Sequence, residues 1–441
     1  MAAPEIVAIG LGIFLATYLI IAFERLHRTI AALLGGCIMS LLLIFAHVKL
    51  ENESAATFPD IIANYVSWST VLFVAGMMII VSIAGRSGVF QFIALELVKI
   101  TKGEPFTLFF MFISLTFAIS FILDTITTML VIAPLTIEIY NALEYDSRPV
   151  LISEALTANF GSVGSLVGSV PNIVIGENSG LSFVDYLVFL GPLAMLFFLS
   201  AIPVFYWLNR RQFAEEQRAG IEGILLIDSS SVIEDRRMFW VSIFTIVGVL
   251  IGFLLGQLTP LDPSVVALTG ASLLLAFSGG APEKSFEDIE WNMVFFLVGL
   301  FVLIGGIEIL EILDKVAEWS KPFLEDDPVV GIALTIWFSG LLSAVIDNIP
   351  VSAALVAIMS KTDIGGTHGK FLYFGLIVGA NIGGNMLPIG SPANILAISL
   401  SERSGKRISF YEFMKVGALL AVLHLLIATI YLGLLFILLS G

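Results

Sequence analysis

Apolar runs of about twenty residues recur from one end of the chain to the other, with short polar segments between them. Runs of this length are long enough for a helix to cross the hydrocarbon core of a bilayer. The pattern therefore predicts an all-α, multi-pass membrane protein. Ten runs are predicted to be spans, two of them interrupted by glycine and serine: 6–23, 29–46, 69–85, 151–176, 183–208, 239–255, 263–277, 291–310, 371–400 and 413–439.

Two further apolar segments, 106–140 and 329–360, are too long for one span, and each contains a single aspartate near its middle. A carboxylate at membrane depth is costly, so Asp124 and Asp347 are expected to face a cavity or a partner rather than lipid. Irregular backbone inside a membrane is tolerated only where it lines a cavity or is buried in protein. Both segments are therefore predicted to be re-entrant helical hairpins with an aspartate at the tip.

The two hairpins belong to an internal repeat. Gly76 and Gly299 lie 223 positions apart, as do the two hairpin aspartates, and the segments 158–161 and 168–172 recur in recognisable form 222 positions later. Matches in one register are not expected by chance, so the chain is predicted to consist of two homologous halves, each with five spans and one hairpin. These are 1–208 with a hairpin at 104–141, a polar linker at 209–237, and 238–441 with a hairpin at 326–362.

Composition agrees with a membrane protein, since 58% of the residues are apolar, 13% are charged and the mean hydropathy is +1.00. The net charge of −15 arises mostly from loop acids, and nothing in the sequence supports nucleic-acid binding. One cysteine, Cys37, excludes a disulfide framework within the chain and a cysteine-rich metal site. The N-terminus lacks a basic region, so the first apolar run is predicted to be a retained span and not a signal peptide.

The distribution of basic residues predicts the orientation. If the 209–237 linker is cytoplasmic, 16 Lys and Arg residues lie on the cytoplasmic side and 5 outside. Both termini and the loop near Asn52 are then outside, and the two halves are inverted. The Asp124 hairpin enters from the cytoplasm and the Asp347 hairpin from outside. The protein is predicted to be a multi-pass protein of the cell membrane.

Inverted repeats with interrupted helices are typical of transporters whose binding site lies at the midplane. Half-helix N-termini offer N–H groups to an anion, and unwound carbonyls with Asp, Asn, Ser and Thr oxygens hold a cation. Na⁺ is predicted to bind Asp347, Asn348, Asn381 and Asp124. The full candidate site adds the oxygen- and amide-bearing side chains of the two tips and the two interrupted spans: Thr125, Thr127, Thr128, Asn159, Ser169, Asn172, Asn385, Ser391 and Asn394.

Other polar side chains are predicted to have no part in the site. Every Lys and Arg can be placed in a loop or at an interface, so no fixed cation is expected to form an anion clamp at the midplane. Glu138 and Glu154 lie near the predicted cytoplasmic boundary and are expected to be solvated, with a position flanking an entry path as the alternative for Glu154. His424 is expected to be a packing residue. The sequence has no phosphate-binding loop and no pair of histidines four residues apart, so ATP-driven transport and metalloprotease chemistry are unsupported and no cofactor is predicted.

These motifs resemble the ion transporter superfamily, in particular the branch with arsenite/antimonite permeases, the pink-eyed-dilution P protein and certain sodium/proton antiporters. The segments 123–134, 346–350, 379–384 and 389–394 carry the resemblance, which covers nearly the whole chain. It implies a homodimeric elevator whose hairpins and interrupted helices move together. The chain departs from the family pattern at Thr125, where Asn is frequent, and at 168–172, where Gly-Asp-Pro-Pro-Asn is frequent. One possible cation-binding carboxylate is thus missing.

The sequence therefore predicts a secondary active transporter of an inorganic ion or metalloid, coupled to H⁺ or Na⁺ and embedded in the lipid bilayer. Two alternatives remain open, a sodium/proton antiporter and a sodium-coupled dicarboxylate symporter of the same fold. An ion channel is less favoured because inverted repeats indicate alternating access. An enzyme is not predicted, because no nucleophile and base occur together.

Overall fold

The structure is a computed structural model, and it describes residues 3–23, 25–49, 55–213, 228–233, 235–256, 259, 261–279, 283–287 and 289–440. Within these residues the chain is helical, with one isolated bridge between Lys49 and Ala55 and no strand. Nine of the described helices are long and apolar enough to cross a membrane. The predicted all-α, multi-pass membrane fold is confirmed. Asn52 and most of the predicted linker, 214–227 and 234, lie outside the described residues.

The first half contains ten helices. Their bounds are α1 Pro4–Ala22, α2 Arg28–Phe45, α3 Phe58–Tyr65, α4 Trp68–Arg86, α5 Val89–Thr101, α6 Pro105–Ser120, α7 Thr125–Ala142, α8 Arg148–Ser162, α9 Val170–Ser179 and α10 Gly191–Phe213. Two short helical segments, Phe183–Asp185 and the π-helical Tyr186–Leu190, lead into α10.

The second half also contains ten helices, and helix n of the first half corresponds in order to helix n+10 of the second. Their bounds are α11 Arg236–Leu255, α12 Pro263–Ser278, α13 Glu283–Glu287, α14 Trp291–Ile309, α15 Ile312–Glu325, α16 Pro328–Val345, α17 Asn348–Ser360, α18 Gly366–Gly383, α19 Pro392–Arg403 and α20 Phe410–Ser440. A short 3₁₀ segment, Ser229–Val232, precedes α11.

The predicted spans and the nine long helices differ in one respect. The hairpin arms α7 and α16 are each 18 residues long and qualify, whereas α12, with 16 residues, and the interrupted-span helices α8, α9 and α19 are too short. The helix α18 is also 18 residues long, but it is not apolar enough. The interrupted spans contain short helices because a helix broken in the middle yields two pieces, although the pair together covers the thickness that one span covers.

The helices form two sets. In the first set, α2 packs along α14 and α4 along α12, with α1 against α2 and α11 against α12. We call α1, α2, α4, α11, α12 and α14 the frame helices. A Cβ added at Gly36 would lie 2.8 Å from the carbonyl oxygen of Gly299, and one at Gly76 would lie 3.1 Å from the backbone of Ala267. These pairs pack backbone to backbone, which small residues permit in membrane helices.

The second set, α6–α10 and α16–α20, contains both hairpins and both interrupted spans, and we call these the hairpin helices. Within it α16 packs on α18, α6 on α8, and α17 on α9. The two sets meet along narrower contacts, chiefly of α4 with α7 and α9 and of α14 with α17. All the candidate site residues belong to the hairpin helices or their tips.

Candidate functional site

A cavity of about 510 Å³ lies between the frame helices and the hairpin helices. The end of α1, the turn into α2 and the start of α14 line it on one side, and the Asp347 tip and α19 line it on the other. A second cavity, of about 330 Å³, lies between α4, α5 and α7 and includes Thr127 and Pro134. Glu290, immediately before α14, lines both cavities. The two cavities therefore flank the two hairpin tips from the same end of the frame.

Asp347 joins the two helix sets through an ion pair. Its Oδ1 accepts a hydrogen bond from the Ile349 backbone N–H at 3.0 Å and caps α17, while its Oδ2 accepts one from Arg28 Nη1 at 2.8 Å. The Arg28 guanidinium also lies 5.6 Å from the centre of the Phe296 ring. A fixed cation thus lies beside the Asp347 tip, contrary to the expectation for the basic residues, because the hairpin tip reaches the end of the frame at which α2 begins.

Glu290 adds a second acid to this cluster. It lies just outside the span α14, where burial and the negative charge of Asp124 raise the pKa of its carboxyl, and the Arg28 guanidinium opposes that rise. Glu290 is therefore within electrostatic reach of both Asp124 and Arg28. Arg28 therefore lies near two carboxyl groups, those of Asp347 and Glu290, and Asp124 lies near Glu290. Uptake of a proton or another cation would bring the charges of this cluster closer to balance.

Asp124 caps its own half-helix. Its Oδ1 accepts hydrogen bonds from the backbone N–H groups of Ile126 and Thr127, at 3.0 and 3.2 Å, and its Oδ2 accepts one from the Thr127 hydroxyl. Thr125 and Thr128 are buried beside it. The carboxyl groups of the two aspartates thus already occupy N–H groups at the N-termini of α7 and α17, so the expectation that these two tips offer free N–H groups to an anionic substrate is wrong.

The candidate amides of the interrupted spans do come together. Asn159 Nδ2 donates to Asn385 Oδ1 at 2.8 Å and to Asn394 Oδ1 at 3.0 Å, and Ser391 Oγ donates to Asn159 Oδ1 at 2.9 Å. All four side chains are fully buried. This cluster links α8 of the first half to the break between α18 and α19 of the second.

Asn172 and Asn394 hold the two breaks open in the same way. Each donates its Nδ2 group to the main-chain carbonyls 10 and 7 positions earlier, at 2.8 and 2.7 Å for Asn172 and at 2.8 and 3.2 Å for Asn394. Asn381 Nδ2 donates to Asn172 Oδ1 at 2.7 Å, just as Asn159 does to Asn394. Ser169 caps α9 by accepting from the Asn172 backbone N–H at 3.4 Å. These side chains form hydrogen bonds with the main chain of the unwound segments and with each other, so most of their polar atoms already have a partner.

Two buried amide oxygens of the candidate site have no hydrogen-bond partner among the described residues, Asn348 Oδ1 and Asn381 Oδ1. They are the atoms best placed by chemistry to bind a cation, since each retains its lone pairs. The bonds that the structure gives Asp124 and Asp347 go elsewhere, to helix caps, Thr127 and Arg28. The four-residue Na⁺ set stays a prediction, and the described part of the chain has no cluster of three His, Cys, Asp or Glu residues that could hold a metal.

The predictions for three other polar side chains have different outcomes. Glu138 is exposed and His424 is packed, with its ring stacked on Phe197 at 4.6 Å between centroids, so both expectations are confirmed. Glu154 is fully buried, and the expectation that it is solvated is wrong. Hairpin helices surround α8, so its sequence position near a boundary does not bring Glu154 to the surface.

At the opposite end of the frame, polar contacts join the two helix sets. Lys361, at the end of α17, pairs with Glu308 of α14 at 2.7 Å. Glu177, on α9, accepts a hydrogen bond from Thr70 Oγ1 of α4 at 2.5 Å and another from the Ser67 hydroxyl. The cavities and these contacts therefore lie at opposite ends of α4 and α14.

Comparisons with known proteins agree with this architecture. An uncharacterized transporter of Mycobacterium tuberculosis is 29% identical over 432 residues, covering 97% of this chain and 98% of that protein. The mouse P protein is 26% identical over 518 residues, covering 97% of this chain and 61% of its own length, so the resemblance to the P protein is confirmed. The arsenite/antimonite permease branch stays a prediction.

Among solved structures, the YdaH transporter of Alcanivorax borkumensis superposes with a TM-score of 0.58 at 13% identity, over 93% of this chain and 98% of that one. That likeness concerns the fold alone. A family model described as citrate transporter (CitMHS) matches residues 18–379, which is most of the chain. The chain therefore belongs to the citrate transporter family of multi-pass membrane transporters.

Proposed function

We propose that this protein is a secondary active transporter of a small carboxylate or similar anion, moved together with H⁺ or Na⁺. The observation that carries the proposal is the Arg28–Asp347 ion pair in the larger cavity. A guanidinium binds carboxylates in a fixed fork geometry, and here it holds the carboxylate of the chain itself. A substrate carboxylate would take the same place and release Asp347 from the frame.

The charge of the site explains why a cation would accompany the anion. Asp347 and Glu290 line the larger cavity together with Arg28, and Asp124 is within electrostatic reach of Glu290, so an added anion is repelled unless protons or Na⁺ ions enter with it. The unpaired oxygens of Asn348 and Asn381 are candidate ligands for such an ion. The printed description of the family, citrate transporter, supports a substrate of this charge.

Movement of the hairpin helices against the frame would carry the site across the membrane. If the predicted orientation holds, the two cavities face the cytoplasm and the contacts of Lys361 and Glu177 close the outside. The structure would then correspond to an inward-facing state of an elevator. The homodimer implied by the family resemblance belongs to the same proposal.

Sodium/proton exchange is the second candidate, because two acids and the Asn348 amide oxygen lie at the tips and the Asn381 amide oxygen lies in the interrupted span α18, both amide oxygens without a hydrogen-bond partner among the described residues. An uncharged metalloid acid would make no use of the ion pair, so we place that substrate after these two.

Uptake by proteoliposomes tests the proposal, with labelled citrate, succinate and ²²Na⁺ compared in one preparation. Arg28→Gln should weaken the apparent affinity for the carboxylate about tenfold or more, because a hydrogen bond between charged groups contributes about 1.5–3 kcal/mol. Arg25→Gln, an exposed arginine in the same turn, is the matched control and should transport as the unmodified protein does. Sodium uptake without uptake of either carboxylate would instead favour the exchanger.

A further inference from the structure

Glu154 is a buried acid that the site described above does not use. Its side chain, on α8, is fully buried. Oε1 accepts a hydrogen bond from the Thr136 hydroxyl of α7 at 2.6 Å, whereas Oε2 has no partner among the described residues. A buried carboxyl oxygen without a partner is rare in folded proteins and calls for a specific explanation.

No described basic side chain compensates a charge on Glu154. The helices packed against α8 are α6, α7, α10, α18, α19 and α20. Of these, α6 has no titratable residue, and α7 presents Tyr140, which is within electrostatic reach of Glu154. The helix α7 also carries the exposed Glu138. The charged residues and histidines of the remaining four helices are Arg210, Arg211, His368, Lys370, Glu402, Arg403, Glu412, Lys415 and His424. No ion pair or hydrogen bond joins any of these to Glu154 within the described residues.

A proton would complete the arrangement. Thr157, one turn further along α8, also has a buried hydroxyl, and the described part of the chain offers it no hydrogen-bond partner. Protonation turns Oε2 into a donor, and one water between the two groups would satisfy both of them. An ionised Glu154 would instead leave a buried charge uncompensated, which costs several kcal/mol even after relaxation.

The smaller cavity lies against α7, the helix that holds Glu154, although Thr136 and Glu154 do not line it. Pro134 lines that cavity and interrupts the hydrogen bonding of α7, because proline has no N–H to donate to the carbonyl of Leu130. Thr136, which holds Glu154, lies two residues beyond Pro134. Water in the cavity therefore approaches α7, whose Thr136 donates the only hydrogen bond that the structure gives Glu154.

We propose that Glu154 is the proton-carrying carboxyl of this transporter. Its carboxylate takes one proton from cytoplasmic water on Oε2 and forms an O–H bond. It releases the same proton, and no other bond changes, when the hairpin helices have moved to the other side. Both α7 and α8 are hairpin helices, so the proton travels with them. The inference rests on the proposed secondary transport and specifies the proton as a coupling ion.

The test uses the full-length protein in proteoliposomes with a trapped pH dye and a labelled citrate gradient. Glu154→Gln keeps the shape of the side chain and its bond from Thr136. It should still exchange citrate across the membrane at equal concentrations, but it should lose the proton flux that accompanies net uptake. Glu138→Gln, an exposed glutamate on the neighbouring helix, is the matched control. A Glu154→Gln protein with the same protons per citrate as the unmodified protein would overturn the proposal.

A second variant covers the case in which Glu154→Gln does not fold. Thr136→Val removes the hydroxyl that stabilises the charged carboxylate, so the pH midpoint of proton uptake should rise by about one unit or more. An unchanged midpoint would contradict the role of Glu154.

Infrared pH titration of the purified protein, without any substrate, separates this proposal from the proposed function. A buried carboxylic acid band that titrates in the unmodified protein and is lost in Glu154→Gln or shifted in Thr136→Val supports the proton site even if citrate is not transported. Citrate transport without such a band would refute the proton site and leave the substrate proposal standing.

Discussion

The ion pair between Arg28 and Asp347 should hold the hairpin helices at the cavity-facing end of the frame. The Arg28 side chain is 27% exposed to solvent and the Asp347 side chain 10%, and Arg28 Nη1 lies 2.8 Å from Asp347 Oδ2. Exposed ion pairs contribute about 0.2–1 kcal/mol, and hydrogen bonds between charged groups about 1.5–3 kcal/mol. For a largely buried pair we expect about 2 kcal/mol of coupling, which is about a 30-fold change in the ratio of the two conformations.

A double-mutant cycle measures this coupling. Arg28→Gln and Asp347→Asn each remove one charge, and the asparagine can still cap α17. Each single variant should lower the inward fraction, and the double variant should lower it no further than the larger single effect. The readout is labelling of Ser399→Cys, which lines the larger cavity, by an impermeant thiol reagent from the cytoplasmic side. The exposed Cys37 is first replaced by serine.

Two outcomes would refute the reasoning. If the two single effects add in the double variant to within about 0.5 kcal/mol, the residues act independently and the ion pair does not couple the helix sets. If Arg25→Gln changes the labelling as much as Arg28→Gln does, the effect arises from surface charge and not from the pair.

Three further predictions follow from the tips and from the contacts between the helix sets. Asp347→Asn should abolish coupled transport without loss of membrane insertion. Asp124→Asn should flatten the pH dependence of transport more than it weakens any Na⁺ dependence. If both variants transport as the unmodified protein does at every pH tested, the two aspartates are structural. A disulfide between Glu308→Cys and Lys361→Cys should trap the inward-facing state and stop transport until it is reduced, and full activity when oxidised would contradict the elevator. Ser230→Cys should be protected from an impermeant reagent in intact cells, and its labelling there would reverse the orientation.

The breaks in the helices could be predicted from sequence because their causes are local. Asp124 and Asp347 each cap the helix that begins one residue later, and a buried acid in an apolar run is visible without any structure. Asn159 and Asn381 were also identifiable, because both recur in the repeat. Their mutual arrangement was not, since Asn159 bonds to partners 226 and 235 positions away.

The parts of the site that sequence analysis missed depend on where distant elements meet. Arg28 begins a span and has the position of an ordinary boundary residue, but its partner lies 319 positions away at a hairpin tip. Glu154 also lies near a predicted boundary, and its burial depends on the six helices around α8. Glu290 precedes a span and lines both cavities, which no local pattern indicates. For Glu154 and Glu290, the available signal was an acid close to a predicted membrane boundary.

The asparagine bonds that hold the two breaks have a consequence for how the protein responds to the membrane voltage. Each break is held by neutral amide groups donating to main-chain carbonyls, so neither a change of pH nor an electric field acts directly on it. A unit charge moved through the full field gains or loses about 2.3 kcal/mol per 100 mV. That energy acts on the charges that move with the hairpin helices, namely the ionised forms of Asp124, Asp347 and Glu154 and any ions bound there. The voltage would therefore change how often the site crosses the membrane without changing the shape of the site.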